Sequence, residues 1–264
     1  MRGLKKESGF SLLEMIMVLL VLTLVMGVVF NAIARVQKQY RQEEERVDTL
    51  QNARELVDQI SRDMHNSGYP NNHMYSVDKL ASDPSLAKGL IAISKTEILL
   101  EGDMGQTTSG NQKVTVIRYK LVSDANDSTC PCSLQRMSND KPANTLPEAV
   151  NAPYTSAVDN VANNVGGTGA WTISGTNMNG SALDTVYAAM KTEPVFRFFD
   201  KDGNELTVPD SLPTSNALDA ATLSLGQSAK VMTVSLNILA PYADLQTGSY
   251  ATATVRTSLR VPNR

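Results

Sequence analysis

The chain has 264 residues, of which 19% are charged and 42% are hydrophobic, and its formal net charge is −3. This length allows one or two domains. The weakly acidic balance, without a basic stripe, argues against a nucleic-acid partner.

The N-terminus places a short basic segment before a long apolar run. In residues 1–9, MRGLKKESG, three basic side chains outnumber one acid, and the apolar run Phe10–Ala34 follows. A cleaved secretory signal is one interpretation, but its apolar part usually spans only about 7–15 residues. The longer run predicts a retained transmembrane helix at 10–34, with the N-terminus in the cytoplasm and the rest of the chain outside.

A single helix is predicted to continue beyond the apolar run to about Asn66. From Ser11 to Asn66 there is no proline, and Gly27 is the only glycine. Residues 35–66 form the amphipathic part of this helix, because their apolar residues recur at helical spacing. Gly68 and Pro70 are expected to end it. The apolar positions are Val36, Tyr40, Val47, Leu50, Ala53, Leu56, Val57, Ile60 and Met64.

Residues 67–264 are predicted to form a β-rich head. Runs rich in β-branched residues predict strands at Glu97–Asp103 and Lys113–Val122, and an antiparallel pair at Lys230–Leu239 and Ala251–Val261. The fold class is therefore α+β, with the long N-terminal helix packed on an antiparallel sheet.

Two further segments of the head have distinct patterns. Pro194–Leu206 predicts a hairpin with Asp202 and Gly203 at its turn. Residues 138–191 are rich in Asn, Gly, Ser and Thr, which predicts a polar loop insertion with one or two short strands. Loops of this kind often carry recognition.

The segment GFSLLEMIMVLLVLTLVMGVVF resembles the class III signal and membrane helix of type IV pilin-like proteins. Gly9 matches the residue before the cleavage site, Phe10 the N-methylated first residue of the mature chain, and Glu14 the acid at the fifth mature position. Arg54–Tyr69 is similar to the helix end of minor pilins of the PilW type and of J-type pseudopilins. The C-terminal Thr257–Arg264 resembles the closing strand of that group.

The resemblance implies a role in filament assembly. A prepilin peptidase would remove the leader 1–9 between Gly9 and Phe10, and the new amine would be methylated. The chain would lie in the inner membrane with its head in the periplasm, and would then join a cell-surface pilus through helix contacts with other major and minor pilins. The implied function is that of a minor pilin that primes or supports assembly near the tip.

Glu14 is an isolated carboxylate among apolar residues, which costs about 3 kcal/mol near the hydrocarbon of a bilayer. The resemblance implies that it pairs with the amine of Phe10 on a neighbouring subunit. Such a pair fixes register, because a buried charge left without its partner is strongly unfavourable. The alternative is an acid that extends into water near the cytosolic interface.

The sequence also allows other functions and sites. A pseudopilin of type II secretion and an adhesin displayed on a pilin helix are the alternative functions, whereas no catalytic motif supports an enzyme. Cys130 and Cys132 could form a local disulfide, a cross-link to another subunit or half of a metal site. We predict the disulfide, and expect no metal and no cofactor, because the two histidines lie far from these cysteines in the sequence.

Three polar or aromatic features have ordinary interpretations beside functional ones. Asp200–Glu205 has a partial calcium-loop pattern but is predicted to be a hairpin turn. Trp171, with Tyr154 and Tyr187, could form a sugar-stacking platform, although packing is the commoner role of a single tryptophan. His65 is predicted to lie at the C-terminal end of the helix, where a partly charged imidazole is favoured.

Overall fold

The structure is a computed structural model. It describes residues 11–68, 87–106, 112–122, 132–141, 147, 150, 152–163, 175–212, 220–243 and 247–262. Its helices are α1 (Leu12–Asn66), α2 (Leu183–Val186), α3 (Ala188–Lys191) and α4 (Ala220–Ser228). Its strands are β1 (Gly89–Ile93), β2 (Glu97–Gln106), β3 (Gln112–Val122), β4 (Cys132–Asp140), β5 (Thr155–Val161), β6 (Phe196–Phe199), β7 (Val231–Ala243) and β8 (Tyr250–Arg260).

Helix α1 confirms the predicted continuous helix and its end. It runs for 55 residues. It stops where Gly68 adopts a φ of +74°, a left-handed conformation that glycine takes without strain. His65 lies in its last turn, as predicted.

The chain divides into two compact units, Met1–Glu45 and Arg46–Arg264. In the first unit, α1 exposes its apolar surface: the large apolar side chains from Leu12 to Val36 are between 45% and 78% exposed. A soluble helix would bury at least one side of such a surface, so this part of α1 requires an apolar environment.

In the second unit, the C-terminal part of α1 packs on the sheet. Its buried apolar residues recur at the spacing of one helix face, and Ile60 and Met64 are 0% and 1% exposed. They join a core that includes Ile117 and Tyr119 of β3 and Phe196 of β6. Burying each such side chain stabilises the fold by about 1.5–3 kcal/mol. The other buried apolar residues of α1 are Ala53, Leu56 and Val57.

The described strands form one curled antiparallel sheet in the order β1-β2-β3-β4-β5-β7-β6, and β8 pairs with the other side of β7. Every ladder between the described strands is antiparallel. The long helix and this sheet confirm the predicted α+β class.

The predicted strands and hairpin are also found. β2 and β3 cover their predicted segments, and β7 and β8 match theirs except for Lys230 and Val261. β7 pairs with β8 in the predicted antiparallel sense. The hairpin after β6 closes through a bridge between Phe199 and Glu205, and Gly203 takes a φ of +83° at its turn.

Outside the predicted loop insertion, three elements were not predicted. They are β1, most of β4, and α4. Within the predicted loop insertion 138–191, the described residues hold the end of β4, the strand β5 and the short helices α2 and α3. One or two short strands were expected there, but the two helices were not.

Candidate functional site

The first turn of α1 presents Glu14 on its surface. The backbone N–H groups of Glu14 and Met15 donate to the carbonyl oxygen of Ser11 at 2.9 and 3.2 Å, which starts the helix at the expected place. Glu14 is exposed, and an acidic side chain in the first turn is favoured by the helix dipole. An exposed carboxylate beside the positive end of a helix is available to a partner from another chain.

The surface around and beyond Glu14 is apolar. An 18-residue window of α1 has a mean hydropathy of 2.7, and none of it is buried, so the helix is long and apolar enough to cross a membrane. The hydroxyl of Thr23 donates to the carbonyl oxygen of Leu20 at 2.9 Å, which satisfies it inside the helix. From Leu12 to Phe30, Glu14 is therefore the one charged residue on a mostly apolar surface of α1.

The two processing residues cannot be placed. Gly9 and Phe10 lie outside the described residues, so cleavage between them and pairing of the Phe10 amine with Glu14 remain predictions.

A buried polar cluster joins the other part of α1 to the sheet. Asp63 is 2% exposed, and its Oδ2 accepts hydrogen bonds from the hydroxyl of Tyr119 at 2.5 Å and from Nε of Arg136 at 2.9 Å. Its Oδ1 accepts from Nε2 of Gln59 at 2.8 Å. Both carboxylate oxygens are thus satisfied, which a buried charge requires. We call Asp63, Tyr119 and Arg136 the junction cluster.

The surroundings in the junction cluster keep the hydroxyl of Tyr119 protonated and the guanidinium of Arg136 charged. Burial and the adjacent Asp63 carboxylate raise the pKa of Tyr119, so its hydroxyl remains a donor. Burial lowers the pKa of Arg136, but its hydrogen bond to Asp63 and the charge of Asp63 outweigh burial and raise the pKa overall. The cluster therefore fixes this part of α1 on β3 and β4 by directional contacts.

The end of α1 is also fastened to β2. The N–H of Gly68 donates to the carbonyl oxygen of Glu101 at 2.8 Å. Ser67 forms an isolated antiparallel β-bridge with Gly102. A Cβ at Gly102 would lie 2.8 Å from the carbonyl oxygen of Asn66, so only glycine allows this approach.

Glu101 itself forms a fully buried ion pair. Nζ of Lys141 lies 2.6 Å from Oε1 of Glu101, and the two side chains are 1% and 0% exposed. The N–H of Lys88 donates to Oε2 of Glu101 at 2.9 Å. Each carboxylate oxygen thus has a partner, as burial demands.

The remaining candidate residues are placed only in part. Cys132 begins β4 and is 2% exposed, but Cys130 lies outside the described residues, so their disulfide remains a prediction. Trp171 and His73 also lie outside them. Tyr187 is described, and its ring packs near that of Tyr250 with centroids 6.4 Å apart.

The Asp200 segment is a hairpin turn. Oδ1 of Asp200 accepts hydrogen bonds from the N–H groups of Asp202 and Asn204 at 2.8 and 2.9 Å. The backbone hydrogen bond from Asn204 is the main cause that lowers the pKa of Asp200. Across the described part of the chain, no group of three or more His, Cys, Asp or Glu residues could hold a metal ion.

The sequence carries one signal for the junction cluster. Asp63 lies on the same helix face as Leu56 and Ile60, so it is an acid at a position where the pattern requires an apolar residue. Its partners Tyr119 and Arg136 are 56 and 73 residues away, and no local pattern connects them.

Comparison with known proteins gives one match. A family model described as the prokaryotic N-terminal methylation motif matches residues 4–30, which include Gly9, Phe10 and Glu14. No curated protein and no solved structure matches the chain.

Proposed function

We propose that this chain is a minor pilin of the PilW type, which joins a type IV pilus and primes or supports its assembly near the tip. The N-terminal methylation motif at residues 4–30 carries the proposal, because it supports a type IV pilin-like protein, either a pilin or a pseudopilin. Proteins with this motif are structural, which agrees with a role in assembly rather than catalysis.

The first step of the proposed mechanism is processing. A prepilin peptidase cuts between Gly9 and Phe10, and the amine of Phe10 is then methylated. Only cleavage creates this amine, so a chain that keeps its leader lacks the cationic partner for Glu14.

The second step is docking in the membrane. The exposed apolar segment of α1 lies in the inner membrane, with its N-terminus in the cytoplasm and the head in the periplasm. The Glu14 carboxylate of one subunit meets the Phe10 amine of its neighbour, while the surrounding apolar surfaces pack together. Because an unpaired charge in this setting is costly, the pair selects one axial register between subunits.

The assignment to the PilW type is supported by the resemblance of Arg54–Tyr69 to the helix end of that group. A pseudopilin of type II secretion is the second candidate, because the methylation motif is common to both groups. A contribution of the polar region 138–191 to adhesion is a further part of the proposal.

Mass spectrometry of sheared surface filaments from the native host tests the proposal. We expect a low-abundance peptide that begins at methylated Phe10, and few filaments in a strain that lacks the gene. A Gly9→Val chain should keep its leader and remain in the membrane. Normal filaments in the deletion strain, together with an uncleaved wild-type chain, would contradict the proposal.

A further inference from the structure

The sheet has three edges, β1, β6 and β8, and they differ in how far they are protected from pairing with another strand. At β1, helix α4 packs closely: a Cβ at Gly226 would lie 2.6 Å from the carbonyl oxygen of Ile91. At β6, the strand is only four residues long and its hairpin closes through Phe199 and Glu205. Covering an edge and shortening it are both ways to prevent unwanted strand pairing.

The third edge, β8, has neither protection in the part of the chain that the structure describes. β8 is 11 residues long and contains no proline. Its register with β7 is continuous from Val231 opposite Arg260 to Leu239 opposite Thr252. Among the described residues, β7 is its only strand partner. A long, regular edge of this kind is a template for another strand.

The backbone directions show which groups this edge offers. On β7, the N–H of Ser235 donates to Val195 and the N–H of Asn237 to Asn163, both on the side away from β8. Their partners on β8 are Arg256 and Thr254, so these pairs share no ladder bonds. The N–H and C=O groups of Thr254, Arg256 and Ser258 therefore point away from β7.

The side chains beside these groups are polar and basic. Arg256 is paired with Glu193 but remains 60% exposed, and Arg260 is exposed as well. On the other face of β8, Val255 and Leu259 pack against the core. An added strand would therefore extend the core with apolar residues on one face and meet two arginines, four residues apart, on the other.

A second copy of this chain is a poor partner for that edge. If two β8 strands paired antiparallel over Thr252–Arg260, Arg256 would lie opposite Arg256 of the other copy. In a parallel pair in register, each arginine would lie beside its own equivalent. Like charges directly opposite each other are destabilising, so the edge discriminates against self-pairing.

We propose that β8 is a docking edge that takes up an extended acidic segment of a different polypeptide as an added strand. The segment has acidic residues four positions apart on the face of Arg256 and Arg260, and apolar residues on the face of Val255 and Leu259. Backbone hydrogen bonds to Thr254, Arg256 and Ser258 hold it, and the arginines select its sequence. The inference depends only on the head and not on the N-terminal motif.

Photo-crosslinking of the full chain in its native host tests the proposal. A photoreactive amino acid at Thr252 lies on the edge, whereas one at the exposed Lys201, in the β6 hairpin turn, serves as the control position. We expect an adduct from Thr252 alone, mapped by mass spectrometry to an acidic extended segment of another protein. No adduct above the control, or an adduct to this chain, would overturn the proposal.

Two pairs of variants test the chemistry of the edge in the same assay. Ser258→Pro and Ser258→Ala both remove the side-chain contact with Thr233, but only the proline lacks the outward N–H. We expect Ser258→Pro to lower the adduct yield about tenfold and Ser258→Ala to leave it unchanged.

The second pair changes charge without changing the backbone. Arg260→Glu and Lys201→Glu alter the net charge equally, and we expect only Arg260→Glu to lower the yield, by about threefold. If Ser258→Pro does not fold, the comparison of Arg260→Glu with Lys201→Glu decides the test. Equal yields for both members of this pair would overturn the proposal. If the adduct forms in a strain whose filaments do not contain this chain, the β8 proposal holds although the pilus assignment fails.

Discussion

Asp63 is a carboxylate on the buried face of an otherwise apolar helix, and it connects three elements. It accepts hydrogen bonds from Tyr119 of β3 and Arg136 of β4. Apolar packing alone would allow α1 to shift along the sheet at moderate cost, whereas directional bonds to a buried charge allow one position. The junction cluster therefore determines the register of this part of α1 on the sheet.

Asp63→Ala is expected to lower the free energy of unfolding of the head by about 3 kcal/mol, because it leaves Arg136 and Tyr119 without their acceptor. Asp58→Ala, at an exposed position of the same helix, is the control and should change it by less than about 0.5 kcal/mol. Denaturant titration of the detergent-solubilised chain measures both. Equal effects of the two substitutions would show that the cluster does not fasten the helix.

Glu193 is a second residue whose environment predicts a measurable effect. Burial raises its pKa, but hydrogen bonds from Asn237 and Arg256 outweigh burial and lower it from its ordinary value of 4.5. The unfolded state therefore binds more protons than the folded state below pH 4.5. Glu193 contributes stability above that pH, and this contribution is lost as the pH falls through the lowered pKa.

Thermal unfolding of the wild type and Glu193→Gln between pH 3 and 7 measures this contribution. The wild type should be more stable than the variant at pH 7, and the difference should shrink below about pH 4.5. A difference that stays constant over the range would show that the carboxylate is not stabilised in the fold.

At the scale of elements, the sequence predicted the long helix and the strands that local residue patterns determine. The helix and its end at Gly68 follow from apolar spacing and from the lack of proline, and β7 and β8 from runs of β-branched residues. β1, GLIAI, was missed because a short apolar run has no periodicity. β4, CSLQRMSND, was missed because its pairing with β3 creates a strand from mostly polar residues.

Gly102→Ala tests the contact between the end of α1 and β2. The added methyl would lie 2.8 Å from the carbonyl oxygen of Asn66, so either the helix end or the strand must move. We expect a loss of about 1–3 kcal/mol in the free energy of unfolding. Gly27→Ala is the control with the same chemical change, since no atom lies within 4 Å of its added Cβ. If Gly102→Ala is as stable as the wild type, the helix end is not tightly docked.

At the scale of the whole molecule, the two units have opposite surface chemistry. The first exposes apolar side chains along α1, whereas the second buries its apolar residues beneath the sheet. A local motif, which the family model matches at residues 4–30, is the basis for proposing Gly9, Phe10 and Glu14 as the assembly site, and that site stays a prediction. The motif could not predict the junction cluster or the β8 edge, because both depend on residues that only the folded sheet brings together.

Incorporation of Glu14→Gln into filaments is the measurement that tests the proposed assembly mechanism most directly. The substitution keeps the size of the side chain but removes the charge that would pair with the Phe10 amine. Glu55→Gln, at an exposed position of α1 in the second unit, is the matched control. The amount of each chain in sheared filaments is divided by its amount in the membrane.

We expect the Glu14→Gln ratio to fall at least about tenfold, which corresponds to about 1.4 kcal/mol or more of lost pairing, while cleavage and membrane level stay normal. The Glu55→Gln ratio should equal that of the wild type. If Glu14→Gln enters filaments as well as the control does, Glu14 does not dock subunits and the proposed assembly mechanism is wrong.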